Sequence, residues 1–409
     1  MRRASLCVFA AAALFGAGSA RADDVVKIGV NAALTGSFVS AGNTVHNAVK
    51  LAVKQINDAG GFVVNGKRYK LEPYYRDDRT DINTAIANAR ELVDDIQVKA
   101  IWGTETHDFS IAMTKITNPA KVIQFTGNST LGGFLMKDDA TKPGGPLHYT
   151  FQTEPQEFQR SGSTAKGVLT LLEPMLGYKP KTSVVLVQDD AGGQYLSSHY
   201  VQALKANGEQ TDLIKFPPDT KDFTPLLTRV KADKPDIVHI WYNGDIVMIA
   251  YPQAVELNVA PSYFLFGVDP GVWKERGLKS KVPITLSCVP VCWGAPPFQA
   301  AKDYFDQYFA LGAPKGVQSS VSLLYYDYVG MFVKAMQEAG TVDDTDKIAA
   351  ALEKMKYQGV VSQVPLQFND RHQVTFATEV CAVTPNTSDQ FKCAVEQPPA
   401  NPPPGDPGG

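Results

Sequence analysis

The stretch Asp24–Gly61, DVVKIGVNAALTGSFVSAGNTVHNAVKLAVKQINDAGG, decides the fold. Val25–Val30 is a short apolar run with β-branched residues, the pattern of a buried strand. The loop Leu34-Thr-Gly-Ser37 follows it. Val45, Ala48, Val49, Ala52, Val53 and Ile56 then recur three and four residues apart, which places them on one stripe of a helix. Gly60-Gly61 ends that helix. A strand followed by a helix that packs back on it is the repeating unit of a parallel α/β sheet.

The same alternation extends outward. Tyr69, Leu71 and Pro73 open a second strand, with a turn through Asp77-Asp78 to Asp81. Ile82, Ile86, Ala89, Val93 and Ile96 repeat at helical spacing. Ala100–Trp102 reads as a strand, 108–117 as a helix and Val122–Phe125 as a strand. The rhythm restarts at Ser183–Val187. Helices are expected over 193–206, 223–231 and 245–257, and strands at Ile237–Tyr242 and Tyr263–Phe266. Two such runs predict an α/β protein of two doubly wound lobes with mainly parallel central sheets. The apolar, aromatic segment 319–338, with Leu324, Tyr325, Tyr328 and Phe332, is expected to pack in a core. The tail 397–409 is rich in Pro and Gly and is expected to be disordered.

Composition narrows the function. The 409 residues carry 39 Lys+Arg against 42 Asp+Glu, a balance that disfavours a nucleic-acid binder. An apolar content of 44% is enough to build a core, which excludes disorder over most of the chain. Residues 1–22 combine Arg2-Arg3, an Ala-rich apolar stretch and Ala20-Arg21-Ala22, the signature of a secretory signal peptide cut before Asp23. The apolar run falls short of the ~18–20 residues of a membrane span, so no membrane insertion is expected after cleavage. Four cysteines lie beyond it: Cys288, Cys292, Cys381 and Cys393. In an oxidising compartment they allow three pairings, and closeness in sequence favours Cys288–Cys292 and Cys381–Cys393. Their spacing does not suit zinc.

Catalytic signatures are missing beyond residue 22: no HExxH, GxSxG or GxGxxG occurs. Gly61 to Lys67 has phosphate-loop spacing, but Arg68 stands where a Ser or Thr is needed, so the segment reads as a hairpin around Asn65-Gly66. The six histidines show no ligand spacing, and neither metal nor cofactor is expected. His107 lies among Thr104, Glu105, Thr106 and Asp108, which raises hydrolysis as one reading. The other is a ligand cleft. Loops at strand carboxyl ends carry hydroxyls and small residues at Leu34–Ser37, Thr104–His107, Thr126–Thr130, Asp189–Gln194, Tyr242–Asp245 and Gly267–Asp269. Helix N-termini there suit a carboxylate and an acid on the opposite lobe suits an ammonium.

These residues resemble the type I periplasmic solute-binding proteins of ABC importers, in the leucine/isoleucine/valine-binding branch. The resemblance is carried by Val26-Lys-Ile-Gly-Val, Leu34-Thr-Gly, Ile56-Asn-Asp-Ala-Gly-Gly61 and Tyr75-Arg-Asp-Asp78. Phe223-Thr-Pro-Leu-Leu, Val230-Lys and Pro235-Asp-Ile-Val carry it in the second half. It implies three hinge crossings, with lobe one at 23–149 and 284–364 and lobe two at 150–283 and 365–396. It implies a non-catalytic periplasmic monomer that holds a small solute, such as an amino acid, aromatic acid or amide. The solute would pass to an inner-membrane ABC permease or be presented to a membrane receptor. It also implies a ligand carboxylate near Thr106 and His107, where the family has a hydroxyl, and near Thr126, Gly127 and Ser129. Gly192 stands where the family has an aromatic, which opens space. Asp245 lies on the next wall loop, and Asp269 matches the acid that pairs with a ligand ammonium.

Overall fold

The computed structural model describes residues 24–126, 147–152, 154–241, 244–288, 290–317 and 319–406. The strands are β1 (Asp24–Ala32), β2 (Phe62–Val64), β3 (Lys67–Asp77), β4 (Ala100–Trp102), β5 (Ile123–Phe125), β6 (Thr150–Phe151) and β7 (Thr182–Gln188). They continue as β8 (Gln210–Phe216), β9 (Ile237–Trp241), β10 (Tyr263–Phe266), β11 (Ile284–Cys288), β12 (Thr378–Val383) and β13 (Phe391–Glu396). The helices are α1 (Val39–Asp58), α2 (Ile82–Arg90), α3 (His107–Thr117), α4 (Glu157–Leu176), α5 (Ala191–Ala206) and α6 (Thr224–Ala232). Then come α7 (Gly244–Glu256), α8 (Pro270–Glu275), α9 (Gln299–Ala310), α10 (Ser322–Ala339) and α11 (Thr345–Lys354).

Two sheets form, in the orders β2-β3-β1-β4-β5-β6 and β13-β12-β11-β10-β9-β7-β8. In the first sheet β1 pairs parallel with both β3 and β4, in the second β7 pairs parallel with both β8 and β9, and antiparallel hairpins close one edge of each. The central strands are apolar because helices cover them. Every residue of β9 and β10 is buried. In lobe one Phe125 lies at the centre, with ring centroids 4.8 Å from Trp102, 6.0 Å from Phe151 and 5.6 Å from Tyr328 of α10. The stripe expected on α1 is buried from Val45 to Val53. Gly42 lets this helix start hard against β1, since a Cβ there would lie 2.0 Å from the Ala33 carbonyl oxygen. The Asn65-Gly66 hairpin forms, with Val64 opposite Lys67 and positive φ at both turn residues.

Some expectations need correction. β6 pairs with β5 in the first sheet, so lobe one runs past residue 150. β11 pairs with β10, so the second crossing follows Cys288 instead of preceding Ile284. Phe368 packs on Phe151 and Tyr328, which carries lobe-one contacts beyond residue 364. The tail is ordered against lobe two as far as Asp406. A Cβ at Gly162 of α4 would meet the Pro399 ring at 2.7 Å, and buried Asp406 lies 2.8 Å from His199 Nδ1 of α5. Proline's fixed φ reduces the entropy lost on docking such a segment. Residues 1–22 and 407–409 lie outside the described residues.

The disulfides are Cys288–Cys292 and Cys381–Cys393, the pairing that sequence proximity favours. No described helix is long and apolar enough to cross a membrane.

Candidate functional site

Strand order reverses between β1 and β4 in the first sheet and between β7 and β9 in the second. Crevices outside the carboxyl ends of strands at such points are where open α/β sheets bind ligands. Here the two crevices face each other. A groove of about 380 Å³ is lined from lobe one by Ser37, Phe38, Thr80 and Thr106 to Phe109. Lobe two contributes Gln188, Asp190, Gly192, Pro218, Lys221, Asp245, Ile246 and Ile249. A larger hollow of about 460 Å³ lies elsewhere, on the crossing segments and tail around Phe298, Val361, Phe376 and Pro398.

The lobe-one wall is held by two acids, half-buried Asp77 and buried Glu105. Asp77 accepts from the Leu34 and Thr35 N–H groups at 3.0 and 3.2 Å and from the Thr35 hydroxyl at 2.8 Å. Burial alone would raise its pKa, but these bonds and that from the Arg79 N–H outweigh it and lower it. Glu105 accepts from the Ala33 N–H at 3.1 Å, while its other oxygen is buried with no partner among the described residues. Burial first, and then the nearby Asp78, push its carboxyl well up, so it is protonated at neutral pH. Gly103 has φ +112°, and a Cβ would fall 1.9 Å from the Asn31 carbonyl oxygen, so only glycine fits. That tight turn delivers Thr106 to the N-cap of α3 with extended φ/ψ. Its hydroxyl is shielded from solvent and has no hydrogen-bond partner among the described residues. His107 opens the helix and stacks across the groove on Tyr195 of α5, centroids 5.9 Å apart.

The lobe-two wall has the opposite character. Asp190 caps α5, accepting from the Gly193 N–H at 2.6 Å, so a carboxylate of the protein already occupies that helix N-terminus. Asp245 accepts from the Ser40 hydroxyl at 3.1 Å, a bond between lobes. Burial raises its pKa against that bond and the Arg276 charge. Lys221 is the cation of this wall.

Thr106, His107, Gly192 and Asp245 therefore meet in one groove. Thr126 does not line it. It is buried at the end of β5, with its N–H bonded to the Phe151 carbonyl at 3.0 Å. Asp269 does not line the groove either. Its carboxylate is buried away from the groove lining and accepts from the Trp293 and Ser320 N–H groups, each at 3.2 Å. Each oxygen thus accepts one backbone N–H, and burial raises the pKa despite these bonds. Gly127 and Ser129 lie outside the described residues. Sequence reasoning missed Thr80, Pro218 and Lys221. The last two follow β8, whose exposed Asp212 and Lys215 mask the strand pattern.

A family model described as periplasmic binding protein matches residues 25–387. The chain belongs to the periplasmic binding protein family, a family of solute-binding proteins and not of enzymes. Among its relatives is Leu/Ile/Val-binding protein homolog 8 of Brucella abortus (strain 2308), 29% identical over 247 residues. That match covers 59% of this chain and 58% of the relative, so the chain spans a little over half the relative's length. The Leu/Ile/Val-binding protein BraC3 of Rhizobium johnstonii is 28% identical over 338 residues, covering 81% of this chain and 84% of that protein. In fold, the chain is similar to a solute-binding protein of an ABC transporter from Rhodopseudomonas palustris BisB5, solved with 3,4-dihydroxybenzoic acid. The TM-score is 0.72 at 21% identity, over 94% of this chain and 99% of that one.

Proposed function

We propose that this chain captures a small organic carboxylate between its lobes in the periplasm and hands it, unaltered and as a monomer, to an inner-membrane ABC permease. The observation that carries this reading is the polarity of the groove. One wall offers a helix N-terminus with the Thr106 hydroxyl, which has no hydrogen-bond partner among the described residues, next to Asp108, and the other offers Asp190 and Asp245 alongside Lys221. A zwitterion laid across the groove meets a donor at its carboxylate and acids at its ammonium. An amino acid is thus the favoured ligand, with Asp190 and Asp245 in the role that Asp269 does not fill. Binding to both walls stabilises the closed form over the open one, the requirement for a ligand-driven clamp.

Phe38, Phe109 and the His107–Tyr195 stack favour a second reading, an aromatic acid. Thermal shift across amino acids, aromatic acids and amides tests both, because stabilisation grows as RT ln(1 + [L]/Kd). A shift with amino acids and not with benzoates supports the first. Recovery of the ligand chemically changed would overturn binding without catalysis. Thr106→Val should cost the true ligand about 1 kcal/mol in calorimetry, since one buried hydroxyl bond is lost.

A further inference from the structure

Away from the groove, His148, Glu353 and His372 converge where lobe one meets the crossing segments. His148 lies just before β6, Glu353 in the last turn of α11, and His372 beside Gln373, which bridges to Gln152. His148 is 5% exposed and His372 is fully buried. The His372 ring is fixed twice. It stacks on Phe151 with centroids 4.2 Å apart and planes 3° apart, and its Nδ1 lies 3.1 Å from the Thr150 carbonyl oxygen. A carbonyl only accepts, so Nδ1 carries the hydrogen. Nε2 then faces the Glu353 carboxylate at 3.1 Å, and His148 Nδ1 lies 3.7 Å from the same oxygen. In the neutral ring Nε2 presents a lone pair toward an anion, an arrangement that calls for a second proton or a cation between them.

The geometry suits a cation. Donor atoms of all three residues lie within 4.8 Å of one another. Tetrahedral zinc with bonds of about 2.0–2.1 Å sets its ligands about 3.3–3.4 Å apart, between the two distances observed. Two imidazoles and one carboxylate form a donor set zinc accepts, and a histidine donating its other N–H to a backbone carbonyl is the usual outer support. Among the described residues, the remaining clusters of such residues each include cysteines already committed to disulfides.

We propose that His148, Glu353 and His372 form a zinc site that ties helix α11 to the two crossing segments, and so to the hinge. This does not depend on the ligand assigned to the groove. Tag-free protein, stripped with chelator, is reloaded with zinc chloride, gel-filtered and assayed for metal by mass spectrometry, with cobalt(II) as the spectroscopic probe. The expected result is one zinc per chain, a tetrahedral cobalt absorption band and a raised Tm. Glu353→Gln and His148→Gln should each lower metal affinity at least tenfold while keeping the fold, whereas His372 is too deeply packed for its loss to be read alone. Absence of retained zinc, or retention in either variant equal to the parent, overturns the assignment.

Discussion

Lobe one and lobe two reach the groove through the same strand reversal, but they treat their buried acids differently. Glu105 in lobe one accepts from the Ala33 N–H, and burial and then the nearby Asp78 raise its pKa to about 8, toward the neutral form. Glu154 and Glu157, at the entry to lobe two, share Arg160. Its guanidinium donates to them at 3.0 and 2.6 Å, and Ser161 donates to Glu157 at 2.8 Å. Arg160 also lies over the Phe266 ring at 5.5 Å. Lobe two further carries both disulfides on its β11–β13 edge. The contrast teaches that a buried carboxylate is accommodated either by raising its pKa, as at Glu105, or by pairing its charge, as Arg160 does for Glu154 and Glu157.

The largest effect should come from Arg160→Met. It leaves two carboxylates buried without their cation, a loss of about 3–5 kcal/mol in urea denaturation at neutral pH. A loss below about 1 kcal/mol would erase the contrast. Next, Cys381→Ser with Cys393→Ser should cost about 3 kcal/mol, and Cys288→Ser with Cys292→Ser about 2. The first bridge closes a separation of 12 and the second only 4. Native-state hydrogen exchange in reductant should show the weakening in lobe two and spare lobe one.

Linkage gives a third prediction. Glu105 is raised by burial and then by Asp78, and Glu379 is raised to about 8 by burial, against the bond from the Cys292 N–H. Both bind a proton more tightly folded than unfolded. Their stabilisation is full below pH of about 4.5 and is lost as pH rises through the folded pKa, by at most about 1.4 kcal/mol per pH unit each. Glu105→Gln and Glu379→Gln should each flatten that fall, and a profile as steep as the parent's would contradict the assignment. The smallest effect is expected for Ser40→Ala. Removing its bond to Asp245 should shift the open–closed balance by about 1 kcal/mol, read as a larger radius in small-angle scattering.

Much of the fold was legible because buried parallel strands read as mostly apolar runs, as in Ile237–Trp241, where only His239 interrupts, and Tyr263–Phe266. Edge strand β8 was not, since its polar exposed face hides the pattern, and α4 was not, with Gly162, Gly167 and Pro174 along it. In the site, strand-end position pointed to Thr106, His107, Gly192 and Asp245, which line one groove. It could not show that Asp269 is buried outside that lining, because whether an acid faces solvent or backbone N–H groups depends here on Trp293 and Ser320, distant in sequence. The His148–Glu353–His372 cluster was invisible for the same reason, since its histidines are 224 residues apart in the chain.

The docked stretch ending at Asp406 has a practical use. It grips His199, one turn along from Tyr195, on the helix whose first turn presents Gly192 to the groove. A fluorophore attached just after Asp406 would ride on lobe two, with its partner dye placed on lobe one. Solute uptake could then be followed by energy transfer, leaving the groove walls chemically intact.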